Sequence, residues 1–431
     1  MKRTATIIAA LAVSALAFAA PRQYSVASPD GSVVVSIDPA AISYSVSVDG
    51  DQVLAPSHLS LDLADGTAYN GKVKFRKAVT TSVNQTIAAQ CYRKAEVKDN
   101  YNQIELQYAT FKVLFRAYDD GVAYRFVSLS KKPFEVSSEQ VEFAFPAAWD
   151  AYVPYVCQND EGEFDEQLHN SFENQYKYQD IAAWDTRHLA FLPLMVEAPK
   201  GVKLCISEAD LLAYPGMFLY NGDCNNSLEG YFPKYPVRKS IGDGDGRSFY
   251  VEETADYIAK CEAGCAFPWR LIGISRHDWE MADNDMVYRL ASPADPSIDY
   301  SWVKPGKVAW DWWNAFDNLG EEKGCTTKGY ERFIDFAAKN GVEYVIFDEG
   351  WSETLNIWKF HPAVDVPHLI DYANKKGVGI ILWMAWAQVV GNEEKVASHF
   401  AKLGAKGFKV DFMDRDDAAC VNFLWKFAAA C

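Results

Sequence analysis

The sequence predicts an all-β part followed by an α/β part: an N-terminal antiparallel β-sandwich, then the first half of a (β/α)8 barrel. Three observations carry this. Period-two alternation dominates from about Tyr24 to about Arg289, Pro293, Pro296 and Pro305 crowd one short interval, and beyond them apolar strand-like runs alternate with amphipathic helical patterns. The chain accordingly divides into a signal peptide over 1–20, the sandwich over 21–300 and a partial barrel of four β/α units over 301–431.

The leader reading rests on "MKRTATIIAALAVSALAFAA", where Lys2 and Arg3 precede an apolar run that closes on the small residues Ala17 and Ala19 around Phe18. The run is short for a membrane span, and no later segment is apolar enough to cross a bilayer. An exported, periplasmic protein with no membrane span is the expectation.

Within the sandwich, Phe111, Val113 and Phe115 alternate with outward residues, as do Val122, Tyr124 and Phe126, on either side of an Asp120-Gly121 turn. That is the pattern of a hairpin. "SPDGS" and "VSVDGDQ" supply two more Asp-Gly turns, and many short strands punctuated in this way indicate a large sandwich.

The second part reads as β/α repeats. Four apolar runs, "KVAWDWW", "VEYVIFDEGW", "VGIILWMAW" and "FKVDFMD", are separated by helical faces such as Tyr330, Phe333, Ile334 and Ala337, or Val396, Phe400 and Leu403. Each helix closes on a glycine suited to a left-handed cap, at Gly341, Gly377 and Gly404. Strands apolar on both faces imply a parallel sheet, either doubly wound or a (β/α)8 barrel.

Composition narrows the partners. The 431 residues carry 42 basic and 58 acidic side chains, a net charge of -16, with 49% apolar and 14% aromatic residues. Such a surface repels nucleic acid and anionic membrane, and no basic stripe offsets it. Nine scattered cysteines form no small-domain disulfide framework; Cys261 and Cys265 read as a disulfide or as inert buried thiols. "GDGDGR", from Gly242 to Arg247, looks like a fragment of a calcium loop without its trailing ligand and reads as a solvated turn.

Chemistry gathers at the strand ends, where a barrel places its active site. Asp311 follows the first strand, Asp348 and Glu349 end the second, Trp383 and Trp386 end the third, and Asp411 and Asp414 end the fourth. Nine of the thirteen tryptophans lie at or beyond Trp302, among them Trp312 beside Asp311. Carboxylates ringed by indoles suit a neutral oligosaccharide, since acids accept from hydroxyls while the apolar sugar face stacks on tryptophan. Lys409 lies two residues before Asp411, so both face one side of the strand, and a lysine there favours the ionised carboxylate that a nucleophile needs.

The stretches "SPDG", "SFENQY", "FPWR", "AWDWW", "FDEGWS", "LWMAW" and "KVDFMDRDD" resemble, in that order and over the whole mature chain, glycoside hydrolase family 97 of Bacteroidetes-type bacteria. The resemblance implies a β-sandwich, a (β/α)8 barrel and a smaller C-terminal β-domain, acting as an exo-α-glycosidase with Ca2+. It also implies that Asp411, where the inverting branch has glycine, is the nucleophile of a retaining enzyme, an α-galactosidase. Asp348 and Lys409 then contact sugar hydroxyls, and Glu173 of "SFENQY" reaches the calcium ion; the strand-end reading adds Asp311, Trp312, Glu349 and Trp383 to the substrate-binding residues.

The same resemblance puts the acid/base glutamate, the other calcium-binding glutamates and the second barrel half downstream of residue 431. The expectation is therefore a truncated chain that lacks its proton donor, with open sheet edges that favour poor solubility. An α-glucosidase of the same family and a noncatalytic glycan-binding protein are the alternatives.

Overall fold

The structure is a computed structural model that describes residues 23–431 apart from 157–162, 242–245, 315–323 and 354. The leader over 1–20 and most of the "GDGDGR" turn lie outside the described residues.

Two nine-stranded, antiparallel sheets form the first part. One runs through Tyr24–Ala27, Val33–Asp38, Ser43–Val48, Asp51–Leu63 and Phe134–Ala144. The other contains the meander Phe75–Ala88, Glu96–Tyr108, Phe111–Tyr118 and Gly121–Ser128, continued by Trp269–Ser275. The hairpin read from the sequence is present, with Val113 opposite Phe126 and Phe115 opposite Tyr124. Alternate side chains of both sheets, such as Val33, Val35 and Ile37 from one and Val113, Phe115 and Ile272 from the other, meet in one core. This is what period-two patterning requires of facing sheets.

One charged group crosses that core. Arg270 is 1% exposed and forms a two-pronged pair with Glu139 of the opposite sheet, Nε to Oε1 at 3.0 Å and Nη2 to Oε2 at 2.6 Å. Arg270 Nη1 also donates to Glu208.

The alternation ends earlier than the sequence suggests. Asp278–Ala282 and Met286–Leu290 are helical rather than extended. The cause is local, because Glu280 Oε2 accepts from the backbone N–H groups of Arg276 and His277 and so caps the first turn.

The second part is a four-stranded parallel sheet whose order follows the chain: Val308–Trp310, Tyr344–Phe347, Gly379–Ala385 and Gly407–Asp411. Helices Thr327–Asn340, Val366–Lys375 and Glu393–Leu403 connect the strands, and Ala418–Ala430 follows the last. Gly341 and Gly404 take φ of 66° and 105°, the left-handed cap conformation their lack of a Cβ allows. Tyr330, Ile334, Leu369, Leu382, Val396 and Phe400 fill the layer between sheet and helices. Removing such side chains from water stabilises the fold by roughly 1.5–3 kcal/mol each.

The two parts meet along the loop that follows the fourth parallel strand. Asn170 N donates to Asp414 O at 2.9 Å, Gly216 N to Asp416 O at 2.8 Å, and Arg415 Nη1 to Phe249 O at 3.2 Å. Phe249 belongs to a two-stranded hairpin, Pro236–Ile241 with Phe249–Thr254, and its ring stands perpendicular to Trp386 at 5.1 Å. The sandwich side thus grips the rim where the strands end.

Candidate active site

Parallel pairing aligns the strand ends, with Trp310 beside Ile346, Phe347 beside Leu382 and Ala385 beside Asp411. The next residue of the first two strands is an aspartate, and the fourth strand ends on one. Three carboxylates therefore share one rim.

Asp411 is the open member, with 40% of its side chain exposed. Its Oδ2 accepts from Trp383 Nε1 at 2.9 Å and its Oδ1 from the backbone N–H of Phe412 at 2.9 Å. Phe412 holds φ at 63°, a left-handed value that costs a bulky residue on the order of 1–3 kcal/mol, and the peptide that joins it to Asp411 points its N–H back at that carboxylate. Strain of that size at such a position is a feature of functional sites.

Lys409 shares the face of Asp411, as alternation demands. Its closest partner is nevertheless Asp348, with Nζ to Oδ2 at 2.7 Å against 3.6 Å to Asp411 Oδ2. Asp348 Oδ2 also accepts from Trp310 Nε1 at 2.6 Å, and the Lys409 ammonium lies 4.3 Å from the centre of the Trp310 ring. One indole thus holds both members of the pair, by an edge and by a face.

The remaining residues read from the sequence are placed as follows. Asp311 is buried, accepting from Tyr330 Oη at 2.8 Å and from Trp312 N at 2.9 Å. Burial first, and the charge of Asp348 besides, push its carboxyl up to about 6 despite the Tyr330 hydrogen bond that favours the ionised form. It supports the rim from below instead of facing a ligand. Trp383 is also buried, and its N–H is spent on Asp411, so it orients the carboxylate where a stacking surface was expected. Trp386, buried against Phe249 and Phe423, is a packing residue.

Trp312 is 67% exposed and Trp313 82%, open indoles beside the rim. Glu349 Oε1 accepts from Arg247 Nε at 2.9 Å and Nη2 at 2.6 Å. Glu173 is exposed, on a sandwich loop whose Asn170 is tied to Asp414 at the rim. Among the described residues no group of three His, Cys, Asp or Glu could hold a metal ion. Glu173 is therefore not a member of such a group among the described residues.

Trp310, Tyr330, Phe412 and Arg247 were not picked out from the sequence as site residues. Trp310 ends its strand two residues before Trp312 and could have been found by its place. Arg247 could not, because it comes from a distant hairpin.

A rim of aspartates and indoles at the C-terminal ends of parallel strands, gripped by loops of an antiparallel sandwich, has the make-up of a glycoside hydrolase. Two family models match and together span nearly all described residues: the glycosyl-hydrolase 97 N-terminal domain over 26–293 and glycoside hydrolase 97 over 310–431. The chain belongs to glycoside hydrolase family 97. A retaining alpha-galactosidase of Bacteroides thetaiotaomicron is 40% identical over 422 residues, covering 96% of this chain and 64% of that protein. This chain thus spans a little under two thirds of that relative.

Among solved structures, a family 97 enzyme of Pseudoalteromonas sp. strain K8 in complex with acarbose superposes with a TM-score of 0.77 at 22% identity, over 94% of this chain and 64% of that one. A beta-arabinopyranosidase gives 0.76 at 20% identity, over 94% and 65%. At these identities the likeness speaks for the fold.

Proposed function

We propose that the protein acts in the hydrolysis of terminal α-linked galactosides with retention of configuration, Asp411 being the nucleophile. The observation that carries this reading is the setting of Asp411: a half-open carboxylate on a strand end, oriented at both oxygens by Trp383 and Phe412, with Lys409 beside it. The 40% identical retaining alpha-galactosidase supports the choice of sugar and stereochemistry.

In this reading one Asp411 oxygen attacks the anomeric carbon as the glycosidic bond breaks, giving a glycosyl ester that water then hydrolyses. The departing oxygen takes its proton from a second carboxyl. Lys409 and Asp348 present a donor and an acceptor to ring hydroxyls. Trp312 and Trp313 offer apolar faces to a sugar. Calcium belongs to the proposal through the resemblance, with Glu173 supplying one carboxylate. Export belongs to it through the Lys2-Arg3 leader.

The test is hydrolysis of nitrophenyl α-galactoside and α-glucoside side by side, with the first-formed anomer read by NMR. The galactoside is cleaved faster and gives the α-anomer, and Asp411→Asn removes the activity by roughly 10³-fold or more. Full activity in that variant would remove Asp411 from the role. One observation favours a second reading, a glycan-binding protein without turnover: Asp311, Asp348 and Glu349 all spend oxygens on neighbouring donors. Calorimetric binding of galactosides with no hydrolysis selects it.

A further inference from the structure

The turn "GDGDGR" ends on a residue with a definite place. Arg247 leaves the sandwich-side hairpin and reaches the rim, where Nε and Nη2 both donate to Glu349 Oε1. Its guanidinium carbon lies 5.3 Å from the centre of the Phe412 ring. The same ring also meets the Trp383 indole, 6.1 Å away and near perpendicular at 83°. Gly246 permits the approach: a Cβ there would come within 2.7 Å of Leu355 Cδ1, and its φ is 73°.

We propose that Arg247 is a positioning residue for Asp411, acting through Phe412; the inference rests on the reading of Asp411 as nucleophile. Phe412 sits in a left-handed conformation that its Cβ disfavours, so its backbone returns to an extended value unless the ring is held. The ring is held by the Arg247 cation, the Trp383 indole and the apolar layer it packs against. Once the ring is released, φ relaxes by a turn of the 411–412 peptide plane, which swings the Phe412 N–H away from Asp411 Oδ1, and the carboxylate loses one of the donors that set its direction. The bond to Glu349 keeps the guanidinium from swinging into solvent. A planar guanidinium donates through two N–H groups in its plane to Glu349 while its face lies against an aromatic ring, a fixed fork geometry that the point-like ammonium of a lysine does not reproduce. The sandwich therefore sets the aim of a residue on the last strand of the other part.

The test is Arg247→Met in the full chain, with Arg247→Lys beside it. Arg247→Met lowers kcat on nitrophenyl α-galactoside about tenfold with KM within twofold, and speeds hydrogen exchange of the Phe412 amide about tenfold; Arg247→Lys recovers less than half of either loss. Phe412→Gly tolerates the left-handed turn without a held ring, so in that background Arg247→Met causes no further fall in kcat. A kcat within twofold of the parent, or an equal fall in both backgrounds, overturns the proposal. Should the parent cleave no glycoside, the catalytic reading alone fails, and amide exchange decides the positioning role: an unchanged Phe412 rate in Arg247→Met overturns it.

Discussion

Lys409 on the fourth parallel strand and Asp348 at the end of the second form, across the strand between them, an ion pair of 2.7 Å in which the carboxylate is 8% exposed and the ammonium 28%. Removing the lysine leaves Asp348 nearly sealed without its cation. Lys409→Met should lower unfolding free energy by about 3 kcal/mol, the low end for a buried pair broken on one side because the ammonium keeps some water. Adding Asp348→Asn should return about half of that loss, since the stranded charge is gone. Urea midpoints of the single and double variants measure this, and a strictly additive pair would show that the two groups do not interact.

Trp310 gives a sharper substitution. Trp310→Phe keeps a ring beneath the Lys409 ammonium but deletes the N–H that Asp348 Oδ2 accepts at 2.6 Å. A hydrogen bond to a charged group contributes about 1.5–3 kcal/mol, so a loss in that range is expected. Trp310→Leu should cost roughly 1 kcal/mol more, because the cation loses its aromatic face as well. Equal losses in the two variants would mean that the ring face contributes nothing.

Asp311 predicts a pH dependence. Its folded carboxyl is pushed up to about 6, against an unfolded value of about 3.9. Between those values the folded chain keeps a proton that the unfolded chain has released. The contribution of this group to stability therefore falls as pH rises from about 4 to about 6 and is constant above. Asp311→Asn cannot titrate, so the stability of the parent minus that of the variant should decline across that window. A difference that stays flat or climbs there would contradict the burial of an ionisable Asp311.

The fold was legible because its signals are local. Phe111 to Phe126 alternate across an Asp-Gly turn, and Gly341 and Gly404 close their helices, so chain neighbours specify both features. The rim aspartates were legible for a related reason: Asp311, Asp348 and Asp411 all stand at the end of an apolar run. Their partners were not. Lys409 was read against Asp411, two residues away, whereas its nearer carboxylate is on another strand. Trp383 was read as a sugar platform, but burial gave its N–H to Asp411. Arg247 reaches Glu349 across 102 residues, and no period in a sequence reports such a pairing.

The sandwich core offers a ranking of two substitutions. Glu139→Gln keeps an acceptor for Arg270 Nε, and Arg270 retains Glu208, so the cost should be about 1–2 kcal/mol. Arg270→Met instead leaves Glu139 and Glu208 between two sheets with no cation, which should cost about 3–5 kcal/mol. Stranded carboxylates can escape by taking up protons, and acid makes that easier, so the gap between the variants should narrow from pH 8 to pH 5. Urea unfolding at both pH values tests the order and its trend. If Glu139→Gln proved the more damaging, the hydrogen bond geometry at Glu139, and not the charge of Arg270, would be what ties the sheets together.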